Sequence, residues 1–225
     1  MKSSARPPRR FEAVLFDLDG TLLDTLDDIA GTMNRVLEAR RLPTYNSEHY
    51  KYFVGDGIEE MVKRALHPTP ISDAEVAEIV VEYRRLYKSH WADTSRPYAG
   101  VSEMLRGVES RGLEMAILSN KAHSFTTLMT ESLLKGFRFG AVRGAMPDVP
   151  PKPDPAAAFW IARELKIDPV QFLFLGDTNV DMKTAVAAGM FPVGALWGFR
   201  SAEELRANGA AALISSPPDL LGLLD

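Results

Sequence analysis

With 225 residues, 46% of them hydrophobic and 25% charged, the chain can bury a substantial core and has ordinary globular composition. No unbroken apolar stretch approaches the span of a bilayer and nothing resembles a signal peptide, so a soluble cytoplasmic protein without a membrane partner is expected; the lack of cysteine excludes disulfides, thiol catalysis and thiolate zinc sites. The net charge is −4, but Lys2, Arg6, Arg9 and Arg10 gather +4 in the first ten residues, and the remaining body, at −8, is a poor partner for nucleic acid.

Residues 1–10, with Pro7 and Pro8 among basic side chains, are expected to form a flexible basic tail. The apolar run Ala13-Val14-Leu15-Phe16 then breaks abruptly into Asp17-Leu18-Asp19-Gly20-Thr21, which reads as a buried parallel strand opening into a reactive loop. Two acids spaced by two leave the same face of extended backbone, so one is placed to attack while the other moves a proton. Gly20 lets the chain turn and bring backbone N–H groups close to an anion. Turn chemistry alone also accounts for Asp and Gly at this point.

Leu26, Ile29, Met33, Val36 and Leu37 recur at helical spacing over residues 25–41, before Pro43. Two more helical patterns follow, one over Ile58, Met61, Val62, Ala65 and Leu66 and one over Val76, Ile79, Val80, Tyr83, Leu86 and Tyr87. Ser72 and Glu75 open the second as a capping box. No strand pattern interrupts this stretch. Residues 26–93 therefore read as a helical insertion between the first and second strands of an α/β core made of residues 11–25 and 94–225. Gly55 and Gly57 fit a flexible loop over a substrate and fit a plain turn equally well.

The α/β alternation then resumes. A helix over 101–111 leads to a strand at 113–118 that closes on Ser119-Asn120-Lys121. A helix at 124–134 and a weaker strand at 139–142 follow, and prolines 147, 150, 151, 153 and 155 stiffen a loop around Lys152. Beyond it come a helix at 156–165, a strand at 172–175 running into Gly176-Asp177, a helix at 182–188 and a last strand at 192–196. Three apolar strands thus end at Asp17, Ser119 and Asp177, and in a parallel sheet such ends share the edge where ligands bind. Asp17, Asp19 and Asp177 would meet there, with Asp181 four residues on, and their negative charges repel one another. A divalent cation relieves that repulsion. An all-oxygen donor set suits Mg²⁺, and the lack of histidine-rich or thiolate ligation disfavours zinc.

The Asp17-Leu18-Asp19-Gly20-Thr21 run resembles the first motif of the haloacid dehalogenase superfamily. Ser119-Asn120-Lys121 resembles the second, Lys152-Pro153-Asp154-Pro155 the third, and Gly176-Asp177-Thr178-Asn179-Val180-Asp181 the fourth, in matching order and spacing over nearly the whole chain. Leu26-Asp27-Asp28-Ile29-Ala30, Val54-Gly55-Asp56-Gly57 and Pro97-Tyr98-Ala99-Gly100-Val101 are similar to the phosphoglycolate phosphatase-like branch. The resemblance implies a three-layer Rossmannoid core with a parallel sheet and a small α-helical cap inserted after the first strand. It implies a Mg²⁺-dependent phosphatase acting on a small-molecule phosphate monoester, with 2-phosphoglycolate as first candidate, through an aspartyl-phosphate. In that scheme Asp17 attacks and Asp19 serves as acid and then base. Ser119 and Lys152 balance the phosphoryl charge, and Thr21, Asn120, Gly55 and Gly57 join Ser119 and Lys152 in binding substrate. Asp17, the Asp19 carbonyl and Asp177 hold the metal, while Asp181 acts through a water or orients Lys152.

Asp19 disfavours a dehalogenase, which has no alkoxide to protonate. A hexose-phosphate mutase, a pyrophosphatase and, from another class, a non-catalytic binding module stay open. So do plainer roles for single residues. Ser119 would serve as the N-cap of the next helix, Asp24, Asp27 and Asp28 as acids at a helix start, and Trp197-Gly198-Phe199 as buried packing. His49, His67, His90 and His123 show no metal spacing and receive no role. The chain is read as a monomer or a homodimer.

Overall fold

The computed structural model describes residues 11–225, so the expected basic tail of residues 1–10 lies outside the described residues. In chain order the elements are β1 (Ala13–Phe16), β2 (Leu23–Asp24), α1 (Leu26–Ala39), α2 (Ser47–Phe53), α3 (Ile58–Leu66), α4 (Asp73–His90) and β3 (Arg96–Pro97). They continue with α5 (Val101–Ser110), β4 (Glu114–Ala122), α6 (His123–Leu133), β5 (Ala141–Ala145), α7 (Ala156–Leu165), β6 (Phe172–Gly176), α8 (Asn179–Ala188), β7 (Phe191–Ala195), α9 (Ala202–Ala207) and β8 (Ala212–Ile214).

Six strands form one sheet in the order β5-β4-β1-β6-β7-β8, every neighbouring pair parallel. The period of two in strand side chains divides the core into two layers. Val14, Phe16, Met115, Ile117, Leu173 and Leu175 face α5, whose Val101, Met104, Leu105 and Val108 cover that side. Ala13, Leu15, Ala116, Leu118, Phe172 and Phe174 face α7 and α8 through Ala158, Ile161, Ala162 and Ala185. Strands buried on both faces must read as continuous apolar runs, and β1 and β6 do. The three-layer α/β architecture expected from the sequence is the one observed.

Helices α1 to α4 lie between β2 and β3 and surround a cluster of their own that includes Met33, Val36, Tyr50, Val62, Ile79 and Val80. Phe125 and Phe199 from the α/β part reach into that cluster. The chain enters and leaves the helical segment side by side, because β2 and β3 pair antiparallel with Leu23 opposite Pro97 and Asp24 opposite Arg96. Asp28, in the first turn of α1, does more than favour a helix start: it is buried and accepts from Thr94 N at 2.9 Å, Thr94 Oγ1 at 2.7 Å, Ser95 N at 2.8 Å and Ser95 Oγ at 2.6 Å. Burial works to raise its carboxyl, and the Ser95 and Thr94 hydrogen bonds overcome that and hold it below the ordinary carboxylate value.

Several local readings change. The strand expected at 113–118 extends through Ala122, which puts Ser119, Asn120 and Lys121 inside β4, and the weak strand expected at 139–142 lies at Ala141–Ala145. Helix α2 buries only Tyr50 and so has no apolar period to read. At two residues each, β2 and β3 are too short for a pattern, and β8 is only three.

Candidate active site

β1 lies between β4 and β6, so the residues at their C-terminal ends share one edge of the sheet. Asp17 follows β1, Ser119 lies near the end of β4, Asp177 follows β6, and Asp181 sits in the first turn of α8. Lys152 arrives from the proline-stiffened loop between β5 and α7 and is 4% exposed. Its ammonium donates to Asp17 Oδ1 at 2.8 Å, Asp181 Oδ1 at 2.6 Å and the Leu118 carbonyl at 3.0 Å, which uses all three of its protons. Asp181 therefore touches Lys152 directly. Its other oxygen accepts from Thr178 N at 3.0 Å and Thr178 Oγ1 at 2.7 Å in the capping box of α8.

Asp177 is fully buried and fixed at both oxygens, accepting from Thr21 Oγ1 at 2.9 Å and from Phe199 N at 2.8 Å. Glycines make room for it. Gly20 has φ +84°, and a Cβ there would stand 2.3 Å from Asp177 Oδ2; one on Gly198 would stand 2.2 Å from the Asp177 Cβ. Burial, followed by the Asp181 charge, pushes the Asp177 carboxyl up to about 7 despite the Phe199 and Thr21 hydrogen bonds. Burial and then Asp181 likewise hold Asp17 well above the ordinary carboxylate value, with Lys152 pulling the other way. For Lys152, burial lowers the ammonium, but Asp17 and Asp181 outweigh it and keep the charge on.

Asp17, Asp177 and Asp181 each offer an oxygen within 4.8 Å of the others. Three buried carboxylates against one ammonium leave negative charge unbalanced, and oxygen-only donors suit a hard divalent cation such as Mg²⁺. These residues fit such an ion. The Asp19 carboxylate is not among the three. It accepts from Thr25 Oγ1 at 2.7 Å and pairs with Lys121 at 3.0 and 3.2 Å.

Of the remaining expected residues, Ser119, Asn120, Gly55 and Gly57 line the cavity with Asp17, Asp19 and Lys152, and Thr21 does not. Ser119 is not the N-cap of α6, a place taken by Ala122, and its hydroxyl accepts from Lys121 N at 3.2 Å. Thr21, expected at the substrate, is fully buried with its hydroxyl on Asp177. Asn120 works as a clamp: its amide donates to the Gly55 and Lys152 carbonyls, both at 2.9 Å, and accepts from Lys152 N at 2.8 Å.

Two side chains that hold the site together escape sequence reasoning. Lys121 was visible only as the third residue of a motif. Arg200 is buried and donates to the carbonyls of Lys51 and, at 3.0 Å, Val54, contacts that cross nearly 150 positions and leave no local signal. The helical segment roofs the site, enclosing a cavity of about 500 Å³ between α1, α3, α4 and the strand ends. His49, His90 and His123 bond to Asn46, Asp93 and Gly144.

Comparison with known proteins gives a consistent result. Residues 14–195 match the family model described as haloacid dehalogenase-like hydrolase. A phosphoglycolate phosphatase of Pseudomonas putida is 32% identical over 215 residues, 94% of this chain and 78% of that protein. An N-acetylmuramic acid 6-phosphate phosphatase of Pseudomonas aeruginosa is 32% identical over 219 residues, 96% of each. Among solved structures, a haloacid dehalogenase-like family hydrolase from Streptococcus pneumoniae superposes with TM-score 0.86 at 22% identity, covering 96% of this chain and 99% of the other. CbbY from Rhodobacter sphaeroides, in complex with phosphate, superposes with TM-score 0.79 at 20% identity, covering 93% and 96%. At these identities the structural likenesses speak for the fold alone.

Proposed function

The chain belongs to the haloacid dehalogenase-like hydrolases, as a phosphatase of the phosphoglycolate phosphatase-like kind, and on that premise we propose a Mg²⁺-dependent hydrolysis through an aspartyl-phosphate on Asp17. The observation that carries the reading is the buried Lys152 bridging Asp17 and Asp181, with Asp177 within reach, at the mouth of a roofed cavity. An acid cluster of this kind is costly to bury unless it serves an ion and an anionic substrate.

In the proposed course, the Asp17 oxygen not held by Lys152 attacks phosphorus in line while the bond to the leaving oxygen breaks and Asp19 gives that oxygen its proton. Asp19 then takes a proton from the water that attacks the phosphoryl group, and Asp17 departs as the carboxylate. Lys152 balances charge on Asp17 and the phosphoryl oxygens, and Ser119 donates to one of them. Asp17 and Asp177, with Asp181 behind them, would hold Mg²⁺, which when bound neutralises the acids and the phosphoryl oxygens. Residues 26–93 act as a cap domain over a core of residues 11–25 and 94–225, excluding water from the site. Thr21 and Asn120 serve at one remove, through Asp177 and the Lys152 loop.

For the substrate we take first 2-phosphoglycolate, named for the P. putida relative. N-acetylmuramic acid 6-phosphate stands second, since the relative named for it matches along its whole length and a cavity near 500 Å³ holds more than a two-carbon acid. The test is phosphate release from both esters, hexose phosphates and pyrophosphate, with Mg²⁺ and with chelator. Metal-dependent release from one monoester far above the rest is expected, and Asp17→Asn is expected to lower it by at least about 10³-fold with the fold intact. Wild-type-like turnover in Asp17→Asn would end the covalent course. Release from pyrophosphate alone, or phosphoryl return to a sugar, would move the assignment to a pyrophosphatase or a mutase.

A further inference from the structure

Asp19 needs a fixed place to act as a proton donor, and nothing in its own loop gives it one beyond the Thr25 hydroxyl. The remaining hold comes from Lys121, whose ammonium contacts Asp19 Oδ1 at 3.0 Å, Asp19 Oδ2 at 3.2 Å and the Tyr87 hydroxyl at 2.9 Å. The three residues come from three places: the loop after β1, the end of β4, and the roof helix α4. All three line the cavity. Exposed lysine pairs hold little, because the long side chain keeps its freedom and water screens the charge. Here the side chains of Lys121 and Asp19 are only 8% and 16% exposed, so both restraints on that argument are lifted. Tyr87 is itself immobilised, stacked on Tyr83 at 5.3 Å between centroids and edge-on to Phe125 at 5.0 Å.

We propose that Lys121 is the positioning residue for Asp19, and that Tyr87 holds Lys121 in place from the roof, so that the proton donor is aligned only while α4 is seated. The inference rests on the acid role assigned to Asp19 above. Lys121 accepts and donates no proton in the reaction; it fixes the carboxyl that does. A lysine that only filled space, or that only bound substrate, would behave differently under a change of leaving group.

The test compares kcat/KM for phenyl phosphate and p-nitrophenyl phosphate in the Mg²⁺-loaded enzyme. The two esters are similar in shape, but phenolate leaves poorly without a proton, whereas p-nitrophenolate departs unaided. Lys121→Met is expected to reduce phenyl phosphate turnover at least about tenfold further than p-nitrophenyl phosphate turnover, a part of the 10²–10⁴ that general acids contribute. Tyr87→Phe keeps the ring packing and removes one contact, and should shift the ratio the same way by about threefold. Equal losses on both esters, or a higher KM with unchanged kcat on both, overturn the proposal. Asp19→Asn in the same assay separates the layers. If it is selective and Lys121→Met is not, the acid role stands and the positioning role falls; if Asp19→Asn is itself unselective, both fall.

Discussion

Asp177 sits in a pH-sensitive environment. Its carboxyl stands at about 7 in the fold, raised first by burial and then by Asp181, against about 3.9 in an unfolded chain. Between those values the native state holds a proton that the unfolded state has lost. Without metal, the Asp177 contribution to stability therefore falls as pH rises from about 4 to 7. Mg²⁺ competes with that proton, and Asp17, raised in the same sense, adds to the effect. The rise in Tm on adding Mg²⁺ should be small at pH 5.5 and full above pH 7.5. At a concentration 100 times Kd it is worth about 2.7 kcal/mol, or ~5–10 °C for a chain of this size. Thermal melts with and without chelator across that range check it, and a Tm increment that ignores pH would contradict it. The meeting of these acids was largely legible in the sequence, because Asp17 and Asp177 each end an apolar run and so announce a strand opening into a loop. Lys121 shows the limit: its partners lie 34 and 102 positions away, and only the fold brings them together.

At the scale of elements, short pieces carry more than their length suggests. β2 and β3 pair over two residues each, yet with Asp28 they fasten both ends of the helical segment. Asp28→Ala would leave the Thr94 and Ser95 donors facing an apolar methyl, and is expected to cost about 3 kcal/mol, seen in urea unfolding at pH 7. Because hydrogen bonds hold the Asp28 carboxyl below its ordinary value, this contribution is present above about pH 4 and disappears as the pH falls through the folded value, so variant and parent should converge in acid. Long amphipathic helices such as α1 and α4 could be placed from side-chain period alone. α2 and β8 could not, since a single buried tyrosine or three strand residues supply no period.

For the molecule as a whole, the question is how roof and sheet are held together. Asn120 and Arg200 reach from the α/β part to the backbone carbonyls of Lys51, Val54 and Gly55, and the Arg200 loop also supplies the Phe199 N–H that fixes Asp177. The seat of the roof and the orientation of an acid in the cluster thus share one loop. Arg200→Met removes the charged donors without removing bulk, and is expected to lower kcat/KM by about tenfold or more, in line with 1.5–3 kcal/mol for hydrogen bonds from a charged group. Hydrogen exchange should quicken in residues 47–57 while the sheet stays protected; unchanged exchange there would show that the contact holds nothing. That the ends of β1, β4 and β6 share one edge was legible from the apolar runs, whereas the order of the six strands and the seating of the roof depend on contacts between distant positions. The step at Leu23 and Pro97 has one more consequence. A segment whose two ends meet in a two-residue antiparallel pair behaves as a cassette: its entry and exit lie side by side, so its length can change without moving the strands of the parallel sheet apart. Evolution on such a scaffold can revise which ester is admitted while the acids that break it stay where they are.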